Sequence, residues 1–300
     1  MNTVKTALLL GLLSGLVLFG GEMIGGRAGL QYGLMIAVAM NFFSYFFSDK
    51  LALMMYRAQP ITPEENSEAY ARVYPLVQGL RQRMGLPVMP KLWLIPEEQP
   101  NAFATGRNPR KASVAFTVGI LNLMTDRELE GVVAHELGHV LHRDILISSV
   151  AATLAAAITF LARMAGWAAM FGGYEGGYER DRDNRGSALG GLLMIVLAPI
   201  AAMLIQLAIS RSREFSADEA SAKYTGSPDG LISALGKLER GVQRIPMEDA
   251  TPATAHMFIL NPFRGDGLMR LFSTHPSTEE RIARLEAMHG DALRRMPRVG

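Results

Sequence analysis

Apolar residues gather into four uncharged runs instead of spreading along the chain. Thr6–Gly21 lies between Lys5 and Glu22, and Ala28–Ser48 is rich in Phe and closed by Asp49 and Lys50. Ile145–Ala162 ends at Arg163, with a further apolar stretch to Phe171, and Ala188–Ile209 carries Gln206 as its one strongly polar side chain. A helix needs about 20 residues to cross a hydrocarbon core about 30 Å thick. The last three runs meet or nearly meet that length; the first is short and relies on Lys5 snorkelling. One such run would read as a buried core helix, but four together predict four transmembrane helices. The first also has the outline of a signal peptide, yet Gly-rich sequence follows it with no A-x-A site, so a span is expected.

The chain therefore divides into two spans (1–48), a polar region (49–144), two further spans joined by the short connector Gly172–Gly186 (145–210), and a second polar region (211–300). Thr62-Pro63-Glu64-Glu65 has the form of a capping box with proline at the first helical position, predicting a helix from there toward Met84 with Pro75 as a kink point. Lys91–Ile95 and Ala112–Thr117 alternate as short strands do, with Asn101-Ala-Phe-Ala-Thr between them. Thr125-Asp126-Arg127-Glu128 is a second capping box opening a second helix. Residues 211–300 read as mainly helical, interrupted at 226–228 and at Pro246, Pro252, Pro262 and Pro276.

Basic residues near span ends favour the cytoplasmic side. The face shared by both polar regions carries eight, Lys50, Arg143, Arg211 and Arg213 among them, against Arg27, Arg180, Arg182 and Arg185 on the other. Both polar regions are thus expected in the cytoplasm. Overall charge adds little: 30 basic and 28 acidic residues leave +2, which gives no footprint for nucleic acid. Mean hydropathy of +0.15 agrees with part of the chain lying in lipid. The absence of cysteine removes disulfides, thiolate metal sites, a cysteine nucleophile and a lipoprotein anchor. A metal would have to be held by His, Asp and Glu, from a stock of six histidines.

The second capped helix contains His135-Glu136-Leu137-Gly138-His139. Histidines four apart share a helix face and can reach one metal ion, while Glu136, turned by about 100°, can reach a water at the open position. A third ligand is required. The metzincin pattern would place Gly at 142 and His at 145, where this chain has His142 and Ile145. A glutamate ligand from a second helix is the other solution, and the candidate is Glu214 in Arg213-Glu214-Phe215-Ser216-Ala217-Asp218. Asp218, four residues on, can face the same way and hydrogen-bond a ligand histidine. His142 reads as a surface position, and His256 and His289 have no metal-like neighbours in sequence.

These segments, with Asn101-Ala-Phe-Ala-Thr-Gly106 and Ser273-Thr-His-Pro-Ser-Thr-Glu-Glu-Arg281, resemble the HtpX family of bacterial membrane zinc metalloproteases, relatives of the CAAX prenyl endopeptidases, over nearly the whole chain. The resemblance implies a mainly α integral membrane protein, with four transmembrane helices and a cytoplasmic α+β metalloprotease domain of the gluzincin type. It implies one Zn2+ per chain on His135, His139 and Glu214, with Glu136 as general base and Asp218 supporting a ligand. His275 would help stabilise the tetrahedral intermediate, with Arg281 supporting it. It further implies a multi-pass protein of the bacterial inner membrane that cleaves misfolded or damaged membrane proteins in quality control and stress response. The expected partners are protein substrates and the lipid bilayer, with no nucleic acid; oligomeric state stays open.

Two expectations follow from placement. No Gly or Pro interrupts 139–150 or 200–225, so both metal-bearing helices are expected to run unbroken into the third and fourth spans, holding the metal about 6–9 Å from the hydrocarbon. Substrate is expected to lie extended against an edge strand, either Ala112–Thr117 or the Asn101 segment. An intramembrane protease is disfavoured because charged residues flank the His135–His139 helix on both sides. The non-enzymatic alternative, a zinc-binding membrane sensor or scaffold, is disfavoured by Glu136, since a purely structural site needs no base. A transporter would carry more polar groups in its spans than Asn41 and Gln206.

Overall fold

The computed structural model describes residues 2–147, 150, 211–244 and 276–295. The third and fourth apolar runs, the connector between them, His256 and His275 lie outside these residues.

Helix α1 (Asn2–Met55) holds the first two apolar runs and is broken at Gly26, whose φ of 55° and ψ of −136° suit only a residue without Cβ. Its two arms fold back on one another. Asn41 Nδ2 donates to Ser14 Oγ at 2.8 Å, and a Cβ on Gly33 would sit 3.0 Å from the Val17 carbonyl oxygen. Within α1, Gly26–Phe47 is long and apolar enough to cross a membrane, the one helix of that kind among the described residues. The end of α1 leaves this stretch and seats Ala52 and Leu53 against Ile95, Phe103 and Ala115 of the following sheet.

That sheet contains β1 (Gln59–Pro60), β2 (Lys91–Ile95), β3 (Ala102–Gly106) and β4 (Ala112–Thr117) in the order β1-β2-β4-β3. β2 and β4 are parallel; β1 and β3 run antiparallel to their neighbours. Ala112–Thr117 is therefore an inner strand, buried at every position, and not the edge that alternation suggested. Of the two candidates, the edge is the Asn101 segment, which leads into β3; β1 forms the opposite edge.

The first capping box does not open a helix. Thr62 Oγ1 accepts from the Glu65 N–H at 3.0 Å and the Thr62 N–H reaches the Glu65 carbonyl at 2.8 Å, closing a turn on itself. Asn66 then takes a left-handed φ of 59°, so α2 starts only at Ser67 and runs to Arg83 with Pro75 inside it. After β4 come α3 (Val118–Leu123) and α4 (Asp126–Leu141). Beyond the undescribed stretch follow α5 (Arg211–Thr225), α6 (Asp229–Arg244) and α7 (Thr278–Arg295). One apolar core runs from Ile61 through α2, β4 and α4 to Leu231, Leu238 and Leu285, so both polar regions contribute to a single body.

Helix α4 lies at its centre, buried along most of its length. Two glycines permit this. A Cβ on Gly131 would stand 2.6 Å from the Leu231 nitrogen, and one on Gly138 would stand 3.1 Å from Ala217 Cα. α6 and α5 thus pack directly on the α4 backbone.

The unbroken passage from α4 into the third apolar run is not found. The Asp144 N–H bonds the His139 carbonyl at 2.9 Å and the Arg143 N–H bonds that of Val140 at 3.2 Å, a Schellman closure. Arg143 sits at its left-handed position, φ 59°. Helical backbone resumes at 145–147. The metal-to-membrane distance reckoned from a continuous helix loses its basis on this side.

Candidate metal centre

The start of α4 is fixed by the second capping box, which forms as the sequence predicts: Thr125 Oγ1 accepts from the Glu128 N–H, and Glu128 Oε2 accepts from the Thr125 N–H at 2.8 Å. Ser233 donates to Glu128 Oε1 at 2.6 Å and Lys237 to Oε2 at 2.7 Å, tying α4 to α6. Burial works against the ionised form of Glu128, but these hydrogen bonds hold its carboxyl at about 2.

Ten residues along, the helical period turns His135 and His139 toward α5. Their rings meet edge to face, centroids 4.9 Å apart. Glu214 faces them from the first turn of α5: Oε2 lies 3.6 Å from His135 Nε2, and Oε1 lies 3.6 Å from His139 Nε2. The three residues each offer a ligand atom within 4.8 Å of the others. Four ligands about 2.0–2.1 Å from a tetrahedral zinc stand about 3.3 Å from one another, so the set fits one ion after small side-chain rotations.

Each histidine has its outer nitrogen occupied. His135 Nδ1 donates to Asp218 Oδ1 at 2.9 Å. Arg281, completely buried, grips the same carboxylate through Nε to Oδ2 at 2.9 Å and Nη2 to Oδ1 at 2.6 Å. Burial would raise Asp218, but the Arg281 guanidinium and His135 hold it below the ordinary carboxylate range. Burial and Arg281 pull His135 down, and its bonds to Asp218 and Glu214 outweigh both, lifting it to about 9. On the other side, His139 Nδ1 lies 3.4 Å from Asp144 Oδ2, and Arg213 Nε stands 3.9 Å from Asp144 Oδ1.

Glu136 turns away from these partners toward the sheet, where its Oε2 accepts the Ala104 N–H of β3 at 2.9 Å. Burial pushes its carboxyl up and Glu214 adds to this, against the two histidines and the Ala104 bond. Glu136, Glu214, Asp218 and Asp144 are all buried, as are Arg213 and Arg281. Four carboxylates thus share one buried cluster with two guanidiniums and two imidazoles, an excess of acidic groups that a cation would offset.

The structure thus brings together His135, Glu136, His139, Glu214, Asp218 and Arg281. Arg281 reaches Asp218 behind His135, and His275, its expected partner in holding an intermediate, lies outside the described residues. His142 is exposed at the helix end. Asp144, Arg213 and the Ala104 backbone were not anticipated. Asp144 comes within reach only through the left-handed break at Arg143, and a backbone N–H has no side-chain signature.

The model of peptidase family M48 matches residues 67–289. The "Protease HtpX homolog" of Desulfatibacillum aliphaticivorans is 54% identical over 284 residues, covering 95% of this chain and 89% of that protein. The protein of the same name from Thermococcus sibiricus is 51% identical over 282 residues, covering 94% of each, and that from Ralstonia pickettii is 52% identical over 290 residues, covering 96% of each. Among solved structures, S. mikatae Ste24p is similar with a TM-score of 0.50 at 19% identity, covering 95% of this chain and 65% of its own. That likeness is one of fold.

Proposed function

The chain belongs to peptidase family M48, among the HtpX-type metalloproteases, and on that premise we propose that His135, His139 and Glu214 hold one Zn2+, with Glu136 as general base of peptide-bond hydrolysis. The observation that carries this reading is the convergence of three ligand atoms on one point, inside a buried cluster rich in carboxylates.

When bound, the ion supplies Lewis-acid polarisation of the scissile carbonyl and acidifies water. The chain's own residues do the rest. Asp218, clamped by Arg281, keeps the proton of His135 on Nδ1 and turns Nε2 toward Glu214. Glu136 is anchored through Oε2 by Ala104, leaving Oε1 to take a proton from water and return it to the leaving amine. Burial raises its carboxyl above the ordinary carboxylate range, the direction that makes it a better proton acceptor.

The Ala104 N–H reaches Glu136, so Ala102, Ala104 and Gly106 turn their backbone to the side of β3 away from β4, while Phe103 and Thr105 face β4. An extended substrate lies along that edge, its scissile bond beside Glu136, with the Ala104 N–H kept by Glu136. Backbone pairing reads few side chains, which suits cleavage of misfolded or damaged membrane proteins at the cytoplasmic face of a bacterial inner membrane. His275 is assigned to the oxyanion, from the resemblance in sequence.

Casein cleavage by the full detergent-purified chain tests the base. Glu136→Gln should lose about 10²–10⁴-fold in rate while zinc content stays at the wild-type level. Near-wild-type cleavage by that variant would remove Glu136 from the role.

A further inference from the structure

We propose that Asp144, backed by Arg213, is the positioning residue for His139, and that the left-handed turn at Arg143 serves to deliver it. This rests on the metal site proposed above. His139 directs Nε2 at Glu214, so Nδ1 is the one ring nitrogen left to fix its tautomer and rotation. The Asp144 carboxylate is the acid that meets it, 3.4 Å away and buried. His139 needs such a partner more than His135 does: its side chain is 16% exposed, against 2% for His135, so packing alone restrains it less.

Sequence spacing by itself would not put Asp144 there. On a continuing helix a residue five positions on lies about 140° round the axis from His139. The chain instead ends α4 in a Schellman closure, with the Asp144 N–H bonded to the His139 carbonyl itself at 2.9 Å. A non-glycine residue, Arg143, holds the left-handed position at φ 59°, a conformation that L-residues other than Gly, Asn and Asp seldom adopt. The turn carries the Asp144 side chain back across the last turn of α4 onto the imidazole.

Arg213 completes the arrangement. It is buried next to Glu214 on α5, with Nε 3.9 Å from Asp144 Oδ1. The order histidine, carboxylate, arginine thus occurs twice: His135–Asp218–Arg281 on one flank and His139–Asp144–Arg213 on the other. The first joins three helices; the second joins the end of α4 to the ligand-bearing turn of α5. Both place a carboxylate at Nδ1 and leave Nε2 directed at Glu214.

The test uses full-length protein in detergent and three readouts: zinc affinity by chelator competition, the visible spectrum of the Co2+-substituted protein, and the melting temperature of the metal-free form. Asp144→Ala should weaken zinc binding about 10–100-fold and change the Co2+ bands, a larger loss than its metal-free melting shows. Asp144→Asn keeps an acceptor of the same size and should recover part of the affinity. Asp144→Ala with wild-type affinity and spectrum would overturn the proposal. So would a loss of affinity that Asn does not relieve and that accompanies an equal loss of metal-free stability, since Asp144 would then only hold the turn. Failure of the wild-type protein to bind zinc or Co2+ at all would instead bring down the metal site itself.

Discussion

α1 and α4 are both long helices, and each inverts the usual arrangement of a soluble helix in its own way. α1 exposes Leu34, Met35, Val38, Phe42 and Phe43; α4 buries Glu128, His135 and Glu136. The exposed face of α1 is stable only if its solvent is apolar, which is the physical case for lipid around it. The buried charges of α4 are stable only if every one meets a partner. Lys237 and Ser233 meet Glu128, Asp218 meets His135, and Ala104 meets Glu136. One helix borrows its environment from outside the protein; the other builds it from two neighbouring helices and a strand.

The comparison is most sharply broken by removing a partner from the α4 side. Arg281→Met leaves the Asp218 carboxylate buried without its guanidinium, and a cost of about 3–5 kcal/mol is expected, read as a fall in melting temperature together with loss of bound zinc. Next comes a charge on the α1 side. Met35→Arg places a cation on the exposed face of Gly26–Phe47 and should disfavour insertion by about 2.5–3.5 kcal/mol, measured as a smaller membrane-integrated fraction after expression. A soluble-protein surface would tolerate the same change.

The smallest effect is that of Glu128→Gln, with an expected cost of about 1–3 kcal/mol that depends on pH. The folded value of about 2 lies below the unfolded value of about 4.3. The contribution is therefore complete above the unfolded value and lost as pH falls toward 2. Unfolding midpoints measured from pH 7 down to 3 should fall more steeply for wild type than for Glu128→Gln, and parallel curves would contradict the assignment.

What the sequence disclosed follows the same division. Side-chain chemistry at helical spacing was readable: His135, Glu136 and His139 on one capped helix, and Glu214 with Asp218 on another. Features made by the backbone were not. The Asn101 segment was one of two candidate edges, but the bond from its Ala104 N–H to Glu136 has no side-chain signature. Thr62 and Glu65 form the bond of a helix cap inside a closed turn, which displaced the start of α2 to Ser67. Arg143 takes a glycine conformation without being glycine, so the end of α4 and the return of Asp144 left no mark in composition. The packing of Gly138 on Ala217 is equally silent, since a glycine in H-E-L-G-H is as easily read as filler.

The central claim is that His135, His139 and Glu214 hold one divalent metal ion per chain. Elemental analysis of full-length protein, stripped by chelator and reloaded with zinc, tests it most directly beside Glu214→Gln. The account predicts one tightly held zinc per wild-type chain and a large drop in retention for the variant. A variant that keeps one zinc as firmly as wild type, or a wild-type chain that retains none, would contradict it.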